Sequence, residues 1–240
     1  MRPTAPQIGF DRFIRLDWAR KAMEVRAGLA ETDELEAMLD EAHSGLAAKK
    51  KTKTVLNRLW LEPRKEVEPF AQGAVELFQS VPSTSPAALT WGMAIVTYPF
   101  FAKVAEIVGR LTSLQGDCTT AEVHRRMAEI YGEREGTRRM TNMVLQSQID
   151  WETLDRSDNG KTLTRKKIVA LETPDLVRWM TKAVLKSVGR PVGIGTLEAQ
   201  PVIYPFGLGE NLGFVLSSAP DVDLRADSTG SQIVSLITEQ

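Results

Sequence analysis

TRRMTNMVLQSQIDWETLDRSDNGKTLTRKKIVAL, residues 137–171, decides how the chain is read. Its first half has helical periodicity: Met140, Val144 and Ser147 fall on one side with Met143 beside them. The opposite side carries Arg138, Arg139, Asn142 and Gln146, and Thr137 stands where an N-cap belongs. After Ile149 and Trp151 the pattern changes. Asn159-Gly160 is the preferred pair for a two-residue type I′ turn, because both residues tolerate positive φ. It predicts a hairpin whose returning strand, Thr162 to Leu171, carries Arg165, Lys166 and Lys167 just after Lys161.

Upstream, the apolar run Leu89 to Leu114 predicts a long helix broken near Pro99 and ended by Gly116-Asp117. Thr119 stands three residues before Glu122, the spacing of a capping box. The helix it opens carries Val123, Met127 and Ile130 and closes at Tyr131-Gly132, and the turn EREG leads to Thr137. Helix, capped helix, turn, polar-faced helix and basic hairpin thus follow in order. Over residues 87–171 this order resembles the winged helix-turn-helix family. The resemblance implies a recognition helix at 137–149 in a DNA major groove, with the hairpin on backbone or minor groove. The residue chemistry points the same way. Arg forms paired hydrogen bonds with guanine and Asn or Gln with adenine, while free N–H groups at a helix N-terminus favour phosphate.

Charge is distributed rather than abundant. The chain has a formal net charge of −1, so affinity for a polyanion must come from placement. From Arg134 to Ala170 there are eight Lys or Arg against five Asp or Glu, and from Gly45 to Lys65 seven against one. In the second run Lys49, Lys50, Lys51 and Lys53 crowd a helix start, with Arg58 further on, which opposes the helix dipole. Phosphate contact accounts for such a cluster; a solvated helix start accounts for it equally. Residues 190–240 hold two basic and six acidic residues, a poor surface for direct DNA contact.

The fold class read from these patterns is mainly α with a small β component. Residues 1–80 form an N-terminal helical bundle, with helices over about Phe10–Gly28, from a Thr32 or Asp33 cap to Gly45, from Ala47 to Leu61 and from Glu66 to Gln79. SVPSTSP, residues 80–86, is a linker. A winged helix-turn-helix occupies 87–171, and 172–240 holds a helix and a short-stranded region in which PVIYPF, LGFVLSS, VDLRA and QIVSLI read as strands.

Several classes are disfavoured. Cys118 is the lone cysteine, so no internal disulfide or cysteine metal cage forms, and His43 and His124 are far apart. VGIGTLE lacks the glycines of a dinucleotide fingerprint and the Gly-Lys-Ser/Thr of a P-loop. Asp221 and Asp223 share a strand face but lack further ligands nearby. No metal, cofactor, catalytic group, signal peptide or membrane span is expected, and the chain reads as cytoplasmic.

KTKTVLNRLW at 51–60 and TRRMTNMVLQSQIDWETL at 137–154 together resemble the small A protein of BREX phage-defence operons, although the acidic tail from 190 does not map onto that family. The resemblance implies a non-enzymatic DNA-binding component of a prokaryotic defence locus. Double-stranded DNA and other subunits of a complex are the expected partners, in a defence or DNA-processing system or as a transcriptional regulator. The alternative is a protein-interaction adaptor that docks through its winged helix and C-terminal sheet.

Overall fold

The computed structural model describes residues 9–81, 84–157, 160–226 and 230–237. Asn159, and with it the expected type I′ turn, lies outside the described residues. Helices dominate, with small two- and three-stranded sheets between them.

The N-terminal bundle comprises α1 (Leu16–Arg26), α2 (Thr32–Ala42), α3 (Leu46–Leu56) and α4 (Glu68–Ser80), with a π-helical turn at Asn57–Leu61 continuing α3. Phe10 and Ile14 are fully buried, but ahead of α1 and not on it. Residues 9–15 form an irregular segment, because its groups bond to a distant helix rather than to one another. The Ile14 N–H donates to Ser147 Oγ (2.9 Å) and its carbonyl accepts from the Trp151 indole (2.9 Å). The cap of α2 is Glu31, one residue earlier than the sequence suggests, and its N–H donates to the Glu34 carboxylate (3.0 Å).

Next come α5 (Pro86–Thr97) and α6 (Pro99–Gln115), which meet at 116°. Pro99 cannot donate to the preceding turn and forces Tyr98 into an extended conformation, so the single apolar run becomes two helices. α5 is apolar nearly all round, from Ala88 to Ile95, and is the buried centre of the molecule. No single helix among the described residues is long and apolar enough to cross a membrane.

β1 (Asp117–Thr119), α7 (Thr120–Tyr131), α8 (Glu135–Asp150), β2 (Leu154–Arg156) and β3 (Thr162–Arg165) follow. The three strands form an antiparallel sheet in the order β1-β3-β2, and Leu163 pairs with Cys118 on one side and Arg156 on the other. The expected capping box is present: Glu122 N–H donates to Thr119 Oγ1 (3.2 Å) and Thr119 N–H to the Glu122 carboxylate (2.7 Å). The returning strand is shorter than expected. It stops at Arg165, and Val169–Ala170 forms a separate β4 that pairs in parallel with β6 (Phe206–Gly207).

The remaining elements are α9 (Pro174–Val188), β5 (Val192–Gly193), α10 (Ile194–Glu198), a 3₁₀ turn at Pro201–Ile203, α11 (Leu212–Ser217), β7 (Val222–Ala226) and β8 (Gln232–Leu236). VDLRA and QIVSLI are strands as read, in the antiparallel order β5-β8-β7. LGFVLSS is instead helical. An alternating pattern groups Phe214 with Leu212 and Leu216, whereas the helix buries Leu212 and Leu216, four apart, and leaves Phe214 81% exposed. PVIYPF is broken by Pro201 and Pro205 into the 3₁₀ turn and β6. The C-terminal sheet packs on α9.

One hydrophobic core runs through all three sequence segments. Trp91 of α5 contacts Phe101, Trp151, Tyr204 and Phe206, and Trp151 contacts Phe10. Two glycines set the closest approaches. A methyl at Gly109 of α6 would lie 2.1 Å from the Pro201 carbonyl oxygen, and one at Gly92 of α5 would lie 2.2 Å from the Trp179 ring. Gly109→Ala and Gly92→Ala are therefore each expected to destabilise the fold by about 1–3 kcal/mol or more. Urea unfolding checks this: the midpoint falls with little change in m, and unchanged midpoints contradict the packing described.

Candidate nucleic-acid interface

The helix α8 begins at Glu135, two residues before Thr137. The link from α7 is only Gly132, Glu133 and Arg134, with Gly132 at φ 85°, and Arg134 Nη2 folds back to donate to the Tyr131 carbonyl (2.9 Å). This tight turn starts the helix early, so Thr137 is buried in its first turn instead of capping it. The inward face buries Met140, Thr141, Val144, Leu145, Ser147 and Gln148.

The C-terminal half of α8 is fastened on both sides. The Asp150 carboxylate accepts from the Leu16 N–H (2.6 Å), so α8 supplies the N-terminal partner that α1 lacks from its own cap. The Tyr204 hydroxyl donates to Gln148 Oε1 (3.1 Å) in the core. The helix ends in a reversal in which Thr153 N–H donates to the Gln148 carbonyl (3.1 Å) and Glu152 N–H to the Ile149 carbonyl (3.0 Å), with Glu152 at φ 58°. A left-handed residue at that position is usually glycine.

Outward, Arg138, Arg139 and Gln146 are exposed, and neither arginine has an ion pair among the described residues. Asn142 is half-buried and differs from its neighbours. Its Oδ1 lies 3.0 Å from His124 Nε2 of α7. Paired recognition of adenine uses both the oxygen and the nitrogen of the amide, so with its oxygen engaged Asn142 is left with N–H donors. Burial holds the His124 ring below its ordinary value; the Asn142 contact opposes that, and the Arg138 charge adds to it.

The hairpin cations are unequal. Lys161 and Lys167 are exposed, and Arg165 is half-buried on the Leu163 side of β3. Lys166 reaches Asp155 at 3.6 Å. On α3, Lys49 contacts Glu36 (2.7 Å) and Asp40 (2.6 Å) of α2, and Lys53 also contacts Glu36. This accounts for two of the four lysines at an unfavourable helix start: an acidic face of α2 receives Lys49 and Lys53, which together hold the Glu36 carboxyl below its ordinary value. Lys50, Lys51 and Arg58 remain exposed.

Two further arginines lie beside the candidate interface. Arg125 of α7 and Arg134 line a groove of about 720 Å³ between α7 and α8 together with Arg138 and His124. The signal for Arg125 was available, since it sits opposite Val123 and Met127 on α7. Glu129, Glu133 and Glu135 line the same groove and balance its three arginines.

No group of three or more His, Cys, Asp or Glu among the described residues is placed to hold a metal ion. Asp221 and Asp223 are engaged by Lys182 and Arg225 (2.5 Å each). Cys118 is buried, which pushes its thiol up to about 12 and keeps it protonated at neutral pH. Comparison with protein-family models, curated proteins and solved structures finds no match for the chain.

Two outcomes test this geometry. In a proton NMR titration His124 is expected to titrate below 6.5, further down in Asn142→Ala and back up in Arg138→Ala. A depressed imidazole stabilises the fold fully above its unfolded value and loses that contribution as pH falls through the folded value. Glu152→Gly, relieving a left-handed side chain, is expected to raise stability by about 0.5–1 kcal/mol in urea unfolding; no gain contradicts the helix end described.

Proposed function

We propose that the chain is a non-enzymatic DNA-binding protein whose α6–β3 segment works as a winged helix-turn-helix. One observation carries this reading. A helix with outward Arg138 and Arg139, neither ion-paired among the described residues, and exposed Gln146 leads into an antiparallel hairpin that bears Lys161 and Arg165, is followed at once by Lys166 and Lys167, and is closed by β1 into a β1-β3-β2 sheet. Such a helix matches major-groove dimensions, and its first turn offers N–H groups and guanidinium ions to phosphates. Arg138 and Arg139 are the base-edge or phosphate contacts in this reading, Gln146 a base-edge contact, and the hairpin cations backbone contacts. Lys49 and Lys53 hold α2 to α3.

The similarity of residues 51–60 and 137–154 to the small A protein of BREX operons leads us to place the protein in a prokaryotic defence or DNA-processing complex in the cytoplasm, with transcriptional regulation as the other setting for the same interface.

Duplex binding measured by fluorescence anisotropy over a series of salt concentrations tests the reading. Affinity should fall linearly with salt on logarithmic axes. Arg138→Ala with Arg139→Ala should weaken binding about ten-fold or more and flatten the salt slope by about one for each phosphate no longer neutralised. Lys50→Ala with Lys51→Ala should change it little. Absence of binding at low salt, or affinity unaffected by the α8 changes, overturns the proposal and favours a protein-docking adaptor.

A further inference from the structure

A second groove, of about 560 Å³, lies where α6, the end of α9 and residues 196–202 converge, and DNA binding through α8 and the hairpin makes no use of it. α6 contributes Lys103, Glu106 and Arg110, which share one helix face, while α9 contributes Lys186. Gly189, left-handed at φ 69°, ends α9 and turns the chain so that Arg190 lines the same space.

Its charge is lopsided. Four cations meet one carboxylate: Glu106 takes both Lys103 and Arg110 (2.7 Å to the latter), and neither Lys186 nor Arg190 has an ion pair among the described residues. The groove between α7 and α8, by contrast, sets three arginines against three glutamates. The negative end of the α9 dipole favours cations in its last turn, which accounts for Lys186 and Arg190, while Glu106 neutralises one of the two α6 cations that face them and leaves a surplus of three positive charges around the groove. Converging like charges repel, and the surplus left after Glu106 favours a bound anion among them.

The floor has the opposite character. Val96, Pro99 and Val188 line it with accessible apolar surface above the buried Ile95 and Val202, and Ser187 adds a hydroxyl. The wall is rigid, because the Trp91 indole donates to the Val202 carbonyl (2.9 Å) and Gly109 lets the 3₁₀ turn press directly on α6. A preformed concave site with an apolar floor and a few convergent charges is the usual form of a small-molecule pocket, within a typical volume of roughly 300–1,000 Å³.

We infer that this groove binds a nucleoside phosphate, with the phosphates held by Lys186, Arg190 and the Lys103/Arg110 pair and the base or sugar lying on the apolar floor. The site stands independently of DNA binding, and the two are separable by experiment.

Isothermal titration of the full chain at low ionic strength with ATP, GTP, CTP and UTP, with adenosine and inorganic phosphate as controls, tests it. At least one nucleotide should bind, the nucleoside should not, and inorganic phosphate should bind more weakly than the nucleotide. Lys186→Glu with Arg190→Glu should weaken the nucleotide about ten-fold or more. Both side chains are exposed, and an unchanged melting temperature would verify folding; Lys186→Ala with Arg190→Ala serves if it changes. Arg138→Ala with Arg139→Ala should leave nucleotide affinity unchanged, so loss of duplex binding and loss of nucleotide binding are distinguishable. Failure of all four nucleotides, nucleotide affinity indifferent to the α9 changes, or adenosine binding equal to ATP overturns the proposal.

Discussion

Three buried tryptophans tie the chain together through the hydrogen bonds their indoles require. Trp91 donates to the Val202 carbonyl, Trp151 to Ile14 and Trp179 to Phe70, each across more than a hundred residues. A large apolar ring that also needs an acceptor fixes which distant backbone lies against it, since a buried N–H without a partner costs about 1–3 kcal/mol. Around Trp91 this brings α5, the C-terminal 3₁₀ turn and β6 into contact. Trp151 brings in the irregular segment ahead of α1, and Trp179, stacked on Phe70 at 4.4 Å between ring centroids, brings in α4. The three sequence segments therefore share one interior, with α5 as its centre.

That interior positions the candidate interface. The end of α8 that carries Ser147, Gln148, Asp150 and Trp151 is fastened to residues 14–16 and to Tyr204, while the other end packs on α7, buries Thr137 and Met140 and leaves Arg138 and Arg139 exposed. A helix held rigidly at one end presents its other end at fixed orientation, which limits the ordering entropy a partner would have to meet. The cost falls on Glu152, a non-glycine in the left-handed region where the helix reverses into the hairpin.

Local signals in the sequence carried well where the cause was local. The Thr119/Glu122 box, the break at Pro99 and the strands VDLRA and QIVSLI all follow from neighbouring residues. Signals failed where tertiary partners decided. Residues 10–15 have helical spacing but bond to α8, Thr137 has cap chemistry but a tighter turn claims the helix start, and LGFVLSS reads equally as alternating or as four-spaced until α9 and β7 pack on it. At the candidate interface, Lys49 and Lys53 look unpaired in the sequence because Glu36 and Asp40 lie on a different helix, and the amide of Asn142 looks available because His124 is eighteen residues away. The core continuity that joins residues 1–80 to the rest has no local signature.

Hydrogen–deuterium exchange of the full chain with and without a generic duplex at low salt tests the central claim most directly, because it locates the binding surface without altering a residue. The account predicts added protection over residues 134–146 and 161–167 and none over α11. Protection confined to residues 46–58 or to α11, with α8 unchanged, would contradict it.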